Sequence, residues 1–195
     1  MKLPLNCSVE YHHSFLSKRE TNRLYNYLAS LERLTNIHKI ETISGEIYHQ
    51  ENGKLMFLNK ELYEANEFPE SLWGPTMIWP KELVLIKERI DNFTGHQFDV
   101  CVCIYYADCN AGVGYHSDLV AFGDTSIIPS LSLGEERVFQ LRELETRKEH
   151  NVVLENGSLI IMGEHCQERY EHSLPLNPEY KNPRINLTFR KFGFA

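Results

Sequence analysis

The chain has 195 residues, of which 42% are hydrophobic and 24% charged, an ordinary globular composition with enough apolar residues for the core of one domain. Its net charge is −7 and neither half is basic, which argues against tight binding to long nucleic-acid duplexes, because phosphate neutralisation supplies most of that affinity. No run of about 18 apolar residues occurs and the N-terminus lacks an apolar signal segment, so we expect no membrane span and no secretory signal.

The five cysteines fit no disulfide framework, and their number is odd. We therefore expect an intracellular protein in a reducing compartment, the cytoplasm or, in a eukaryote, the nucleus. Cys101 and Cys103 have the spacing of a possible metal pair, but their place in a strand-like run favours buried, inert thiols. We expect the chain to be a monomer.

Two helices are predicted in the N-terminal half. The capping box Ser17-Lys18-Arg19-Glu20 precedes apolar residues at helical spacing, which predicts a helix over 18–34. Pro80 opens a second helix, which Gly95 ends. Residues 49–79 are irregular and rich in aromatic side chains, and two interpretations stay open for them: a long surface connection, or a lid over a binding site.

From residue 98 onward the apolar residues recur with a period of two, which indicates about eight short strands. They are predicted over 98–106, 114–118, 127–133, 138–142, 152–154, 158–162, 169–172 and 184–192. Asn156-Gly157 between two apolar runs indicates a hairpin turn, and a strand-like segment over 37–48 is broken at Ser44-Gly45. Two helices followed by these strands predict an α+β chain whose main body is an antiparallel sandwich or barrel.

A candidate metal site begins at His116-Ser117-Asp118, which ends one predicted strand. Residues i and i+2 share a strand face with their Cα atoms about 6.6 Å apart, so the imidazole and the carboxylate can converge on one ion. His172 is the best candidate for a third ligand, and His165 is its rival. Two histidines and a carboxylate are the ligands of non-haem Fe(II) oxygenases, but a bare H-x-D is common by chance and needs independent support.

The last predicted strand supplies that support. Arg184, Asn186, Thr188 and Arg190 share one of its faces, which would be turned to solvent on an edge strand. Fe(II) sites of this type need a cosubstrate, most commonly 2-oxoglutarate, whose far carboxylate suits a guanidinium. The two arginines are about 20 Å apart along the strand, so one can reach that carboxylate while the other approaches the metal. Tyr106, on a strand upstream, is placed to donate its phenol to the same ligand.

Five segments, in this order and spacing, resemble the AlkB family of Fe(II)/2-oxoglutarate dioxygenases. They are Tyr105–Asp108, Gly114–Asp118, Ile128–Gly134, His172–Pro175 and Pro183–Arg190. The resemblance implies a double-stranded β-helix, or jelly roll, with two N-terminal helices packed on it. It also implies one domain over 1–195, with the helices and a substrate lid in 1–96 and the catalytic core in 97–192.

The resemblance implies roles for seven side chains and three cofactors: Fe(II), 2-oxoglutarate as cosubstrate, and O2. The implied iron ligands are His116, Asp118 and His172. The implied 2-oxoglutarate residues are Tyr106 and Arg184 at the far carboxylate, with Asn186 and Arg190 at the metal end. No catalytic residue beyond the metal site is implied.

The family acts chiefly on N-alkylated bases in DNA or RNA, and some members act on proteins. Oxidation of an N-methyl group releases formaldehyde, so the net result is demethylation. Ile104 stands where many members carry an asparagine that bonds the cosubstrate. Leu119 and Val120 stand where repair enzymes tend to carry acidic residues, which weakens the specific expectation of DNA repair.

Three functions are therefore weighed. The first is oxidative demethylation of alkylated nucleic acid, and the second is 2-oxoglutarate-dependent hydroxylation or demethylation of a protein or small molecule. The third is a non-catalytic jelly-roll binding module. The complete set of metal ligands and arginines speaks against the third, because a binding module has no need of it.

Overall fold

Residues 1–41, 47–118 and 120–194 are described in the computed structural model of the chain, and only the backbone is described for residues 40, 41 and 47–49. Its elements, in chain order, are β1 (Val9–His12), α1 (Lys18–Ala29), α2 (Glu32–Thr35), β2 (Lys39–Glu41), β3 (Ile47–His49), β4 (Gly53–Leu58), α3 (Lys60–Glu64), α4 (Glu70–Trp73), β5 (Thr76–Ile78), α5 (Lys81–Thr94), β6 (Val100–Tyr106), β7 (Val113–His116), β8 (Ile128–Gly134), β9 (Arg137–Glu143), β10 (Glu149–Leu154), β11 (Leu159–Met162), α6 (Cys166–Arg169), β12 (Tyr170–Leu174) and β13 (Arg184–Arg190).

Two large sheets make the body of the molecule. The seven-stranded sheet has the order β1-β11-β8-β13-β6-β4-β5, and the four-stranded sheet has the order β10-β9-β12-β7. Neighbouring strands are antiparallel except β4 and β5. One apolar cluster joins both sheets, with Val9 and Ile128 from the larger and Phe139 and Leu141 from the smaller. This mixed architecture of helices and antiparallel sheets is consistent with a jelly roll.

Five helices lie in the N-terminal half, and the long ones, α1 and α5, coincide with the predicted helices. The helix predicted over 18–34 is divided into α1 and α2, because the chain leaves helical geometry at Leu31, where ψ is 103°. The predicted capping box is present at Ser17. α1 and α5 bury apolar side chains in the cluster that also contains Leu187 of β13. None of the helices in the described ranges is long and apolar enough to cross a membrane.

The segment 49–79 is not a long surface connection, and that interpretation was wrong. β4 lies within the larger sheet between β6 and β5, and Leu55, Met56 and Phe57 are fully buried. A strand covered on both faces carries a continuous apolar run, so the period-two signal of the later strands is missing here. The break expected at Ser44-Gly45 lies outside the described residues.

The turn at Asn156-Gly157 is real, but it does not close a hairpin. Gly157 has a φ of +87°, as turn chemistry requires, yet β10 and β11 belong to different sheets. β10 pairs with β9, while β11 pairs with β1 and β8. A turn signal specifies a local reversal of the chain, whereas the choice of neighbours depends on burial in the whole fold.

The five cysteines are free thiols. Cys101 and Cys103 are fully buried in the cluster between the larger sheet and the helices, and burial raises the pKa of each thiol. Their interpretation as buried, inert thiols is confirmed.

Candidate metal and dicarboxylate site

His116, Asp118 and His172 come together across the β7–β12 pair. His116 ends β7 and is directly opposite His172 in the register, and Asp118 follows two residues after the strand ends. One ligand atom from each residue lies within 4.8 Å of the other two. Within the described ranges this is the one group of three or more histidine, cysteine or acidic side chains arranged to share a metal ion.

A β-bulge aims His116 at this site. His172 is opposite His116, but Leu174 is opposite Val113, so two residues of β7 face one of β12. Val113 and His116 are three positions apart and would point to opposite sides of a regular strand, yet both line the same cavity. The extra residue leaves Tyr115 outside the cavity, where its hydroxyl donates to Glu149.

The ring nitrogens of the two histidines differ in their hydrogen bonds. His116 Nδ1 donates to the Gly114 carbonyl at 2.8 Å, which leaves its Nε2 with a free lone pair. Burial lowers the pKa of His172 to about 4, and its buried Nδ1 has no hydrogen-bond partner among the described residues. Such a buried nitrogen needs a partner that the described side chains do not supply, and a metal ion fits it.

Asp118 completes the donor set. Its backbone N–H donates to Gln167 Oε1 at 2.8 Å, and the Arg190 guanidinium lies 3.7 Å from its carboxylate. Two imidazoles and one carboxylate are the donors of the facial triad that binds Fe(II), so the residues present fit that ion. His165 does not belong to the site: it is exposed at the start of α6, and its ring pairs with Glu168.

The polar face of the last strand lines the same cavity. β13 lies between β8 and β6 in the middle of the larger sheet, so it is not an edge strand. The cavity has a volume of about 260 Å³ and contains all seven predicted site residues in its lining. They are His116, Asp118, His172, Tyr106, Arg184, Asn186 and Arg190.

Arg184 is a buried cation without a carboxylate partner among the described residues. It is 2% exposed, and within the described part of the chain no carboxylate lies within 4.0 Å of it. Its Nη2 donates to Ser132 Oγ at 3.0 Å and Asn186 Oδ1 at 2.9 Å, whereas its buried Nε has no partner there. Burial lowers its pKa to about 10, so it stays charged at neutral pH and is suited to an anion.

Tyr106 is directly opposite Arg184 in the β6–β13 register. The Arg184 guanidinium lies 5.3 Å from the centre of its ring. Burial raises the pKa of the phenol, which keeps it protonated and able to donate to an anion. The phenol and the guanidinium therefore lie together in the cavity. Arg190, which lies 3.7 Å from Asp118, is at the other end of β13, so this pair is separated along the strand from the metal-ligand candidates.

Asn186 is occupied by protein contacts. Its Oδ1 accepts from Ser130 Oγ and Arg184, and its Nδ2 donates to Thr188 Oγ1 at 2.8 Å. It therefore orients Arg184. Ser130 and Ser132 on β8 were missed as site residues, although the alternating serines of Ser130-Leu131-Ser132 were a usable signal for a polar strand face.

The residues that depart from the family pattern lie in different parts of the structure. Ile104 lines the cavity opposite Asn186, so no polar side chain occupies that place. Asn52, which was not predicted, also lines the cavity, and its Nδ2 donates to the Gly112 carbonyl. Val120 is 58% exposed, and Leu119 lies outside the described residues.

Comparison with known proteins decides the family. The sequence matches the 2OG-Fe(II) oxygenase superfamily over residues 8–190. The chain belongs to this superfamily. Its cofactors, expected to be Fe(II), 2-oxoglutarate and O2, are confirmed at the level of the family.

Several curated proteins are similar to part of the chain. Uncharacterized protein R406 of Acanthamoeba polyphaga mimivirus is 32% identical over 110 residues, which is 56% of this chain and 58% of that protein. Human alpha-ketoglutarate-dependent dioxygenase alkB homolog 3 is 33% identical over 60% of this chain and 44% of its own length. Bovine DNA oxidative demethylase ALKBH2 is 32% identical over 58% of this chain and 44% of its own. These relatives confirm the AlkB-like resemblance, although the chain spans only about half their length.

One solved structure, that of OsALKBH1, resembles the whole fold. It superposes with a TM-score of 0.62 over 97% of this chain and 100% of its own, at 16% sequence identity. At this identity the likeness shows a shared fold alone.

Proposed function

We propose that the chain is an Fe(II)/2-oxoglutarate-dependent dioxygenase that oxidatively demethylates N-alkylated bases in DNA or RNA. The observation that carries the proposal is a single cavity lined both by the His116–Asp118–His172 group and by the buried Arg184, which has no carboxylate within 4.0 Å among the described residues. Arg190 lies 3.7 Å from Asp118, and Arg184 is at the other end of the same strand, so the two groups occupy different ends of the cavity. A dicarboxylate that also binds a metal matches both ends. We also propose that the two sheets form the jelly-roll core over 97–192 of one domain.

His116, Asp118 and His172 would hold the metal, because one ligand atom from each of these two imidazoles and one carboxylate lies within 4.8 Å of the other two. The Arg190 guanidinium lies 3.7 Å from the Asp118 carboxylate and would hold it in place beside the metal. When bound, the family's cofactors supply decarboxylation of 2-oxoglutarate to succinate coupled to hydroxylation of a C–H bond.

Arg184 and Tyr106 would bind the far carboxylate, with the guanidinium as a charged donor and the phenol as a neutral one. Ser132 and Asn186 fix the guanidinium by accepting from its Nη2. The apolar lining, including Leu174 and Phe139, limits water between the two polar ends. Contacts at both ends would fix the orientation of the cosubstrate, so its metal-binding group would be held beside the metal ligands.

The substrate assignment rests on the relatives and on the chemistry of a hydroxylated N-methyl group. One relative is named a DNA oxidative demethylase. Hydroxylation of an N-methyl group gives a hemiaminal that loses formaldehyde, so the proposed chemistry ends in demethylation. The net charge of −7 favours short or unpaired nucleic acid over long duplexes. A protein or small molecule is the alternative substrate, and the apolar Val120, where repair enzymes tend to carry an acidic residue, leaves that alternative open.

Turnover of 2-oxoglutarate tests the reaction class. The purified protein with Fe(II) is expected to convert 2-oxoglutarate to succinate, slowly even without substrate, and His172→Ala is expected to lose this turnover. His165→Ala is the matched control, because His165 is an exposed histidine outside the site. The absence of succinate from the wild-type protein, or full turnover by His172→Ala, would exclude the proposed chemistry.

A panel of oligonucleotides tests the substrate class. Single- and double-stranded DNA and RNA with N-methylated bases are incubated at low salt, and demethylation is measured by mass spectrometry together with released formaldehyde. We expect demethylation of at least one methylated base. Turnover of 2-oxoglutarate without demethylation of any oligonucleotide would transfer the proposal to a protein or small-molecule substrate.

A further inference from the structure

Arg137 is a second buried arginine near the cosubstrate pocket, and the roles derived above do not include it. It begins β9 and is 0% exposed. It does not line the cavity, so it has no direct access to a ligand there. Complete burial of a guanidinium is costly unless its donors are satisfied, so its contacts indicate what it is for.

The guanidinium joins two connections of the chain. Nη1 donates to the Ala111 carbonyl at 2.6 Å and Nη2 to the Asp108 carbonyl at 3.0 Å, and both acceptors lie between β6 and β7. Nη2 also reaches the Asn182 carbonyl at 3.5 Å, just before β13. The first connection starts after Tyr106, and the second ends at Arg184. Arg137 therefore ties together the strand ends that carry the two side chains proposed for the far carboxylate.

The guanidinium lies over two aromatic rings. It lies 4.7 Å from the ring centre of Tyr180 and 5.7 Å from that of Tyr106. Arg184 lies 5.3 Å from the same Tyr106 ring, so two buried cations share one aromatic partner. The nearest carboxylate, that of Glu135, is 3.9 Å from Arg137. This end of the cavity therefore has positive charge in excess, which a carboxylate ligand would offset.

Only an arginine suits this position. Several carbonyl acceptors need the fixed fork of guanidinium donors, and a planar, delocalised cation suits the aromatic rings beside it. A lysine keeps the charge, but it concentrates three donors on one nitrogen and has no flat face. Arg137→Lys therefore separates the geometry of the contact from its charge.

We propose that Arg137 is a positioning residue for the far-carboxylate end of the 2-oxoglutarate pocket, acting through Tyr106 and the two connections. The inference rests on the proposed function. It assigns Arg137 an effect on the carboxylate distant from the metal and no effect on the metal-binding end of the ligand.

Two ligands separate these ends. 2-Oxoglutarate carries both the metal-binding 2-oxo acid group and the far carboxylate, whereas pyruvate carries only the 2-oxo acid group. Their binding to the Fe(II)-loaded protein is measured by calorimetry without oxygen, so that no turnover occurs. We expect Arg137→Lys to weaken 2-oxoglutarate binding by about tenfold and to leave pyruvate binding within about twofold of the wild type.

Arg142→Lys is the matched control. Arg142 lies on the same strand, pairs with Glu171 at 2.7 Å and does not line the cavity. It is expected to bind both ligands as the wild type does. At saturating 2-oxoglutarate, Arg137→Lys should recover a kcat near the wild-type value, because its defect lies in binding.

The outcomes are distinguishable. Unchanged 2-oxoglutarate affinity in Arg137→Lys, or an equal loss for 2-oxoglutarate and pyruvate, overturns the inference and leaves the proposed function intact. A wild-type protein that binds no 2-oxoglutarate overturns the proposed function itself. If Arg137→Lys does not fold, Tyr180→Leu decides: it removes one stacking face, and a selective loss of 2-oxoglutarate binding supports the inference while unchanged binding overturns it.

Discussion

At the scale of single residues, the site is defined by buried polar groups whose needs the protein does not meet by itself. His172 has a buried nitrogen without a partner among the described residues, and Arg184 is a buried cation without a nearby carboxylate. Each would be destabilising in a protein that binds nothing, because desolvation is not compensated. Together they indicate a ligand set that supplies a metal ion at one end and an anion at the other.

His172 predicts a pH dependence of stability in the metal-free protein. Its pKa falls from the ordinary value of about 6.5 to about 4 in the folded state, chiefly through burial, while Asp118 opposes the shift and His116 and Arg190 add to it. Between these values the unfolded chain binds a proton that the folded chain does not. The free energy of unfolding is therefore highest above pH 6.5, and it decreases by up to about 3 kcal/mol as the pH falls towards 4.

The measurement is urea unfolding of the chelator-treated protein across this pH range, with His172→Phe for comparison. The variant has no group at this position to protonate, so its stability should depend less steeply on pH. Identical slopes for the two proteins would show that His172 does not keep a lowered pKa in the folded chain.

At the scale of elements, the site depends on strands that are not adjacent in sequence. β12 aligns His172 with His116, β6 aligns Tyr106 with Arg184, and β8 brings serines to β13. β4 extends the same sheet, and Asn52, which directly precedes it, lines the cavity. The position of β4 is set in turn by close contact with α2.

Gly53 is the point of that contact, and it predicts a selective loss of stability. A Cβ at Gly53 would lie 2.1 Å from the Leu34 carbonyl oxygen, so Gly53→Ala forces β4 and α2 apart. We expect a loss of about 1–3 kcal/mol in the free energy of unfolding. Gly114→Ala is the control, because a Cβ there meets nothing within 4 Å. Equal stability of both variants in urea would contradict the packing described.

At the scale of the whole molecule, the cavity lies between the two sheets. Its polar lining interrupts the apolar packing between them. The excess positive charge around Arg184 and Arg137 lies deep in the fold, so a ligand that neutralises it should stabilise the entire domain. The two large apolar clusters provide the stability that tolerates this arrangement in the ligand-free protein.

Ligand binding therefore predicts a shift in thermal unfolding. At a concentration of 100 Kd, 2-oxoglutarate with the metal is expected to add about 2.7 kcal/mol, which raises Tm by about 5–10 °C for a domain of this size. Pyruvate at the same concentration should give a smaller rise, and Arg184→Ala should remove the difference between the two ligands. Equal shifts in the wild-type protein would mean that the far carboxylate is not bound by Arg184.

The sequence by itself determined the chemistry of the site. H-x-D, a distant histidine and an alternating Arg-x-Asn-x-Thr-x-Arg strand are local patterns, because residues two apart on a strand share a face. All seven predicted side chains line one cavity. The two long helices were equally readable, since caps and apolar spacing act within a few residues.

Tertiary structure alone decided which strands are neighbours and which way each polar face is turned. The Asn156-Gly157 turn crosses between sheets, and β4 is a buried strand within a segment that looked irregular. The inward direction of the polar face of β13 follows from its central place between β8 and β6. The role of Arg137 could not be predicted either, because its partners lie more than 25 residues away, and only burial in a common fold brings them within hydrogen-bonding distance.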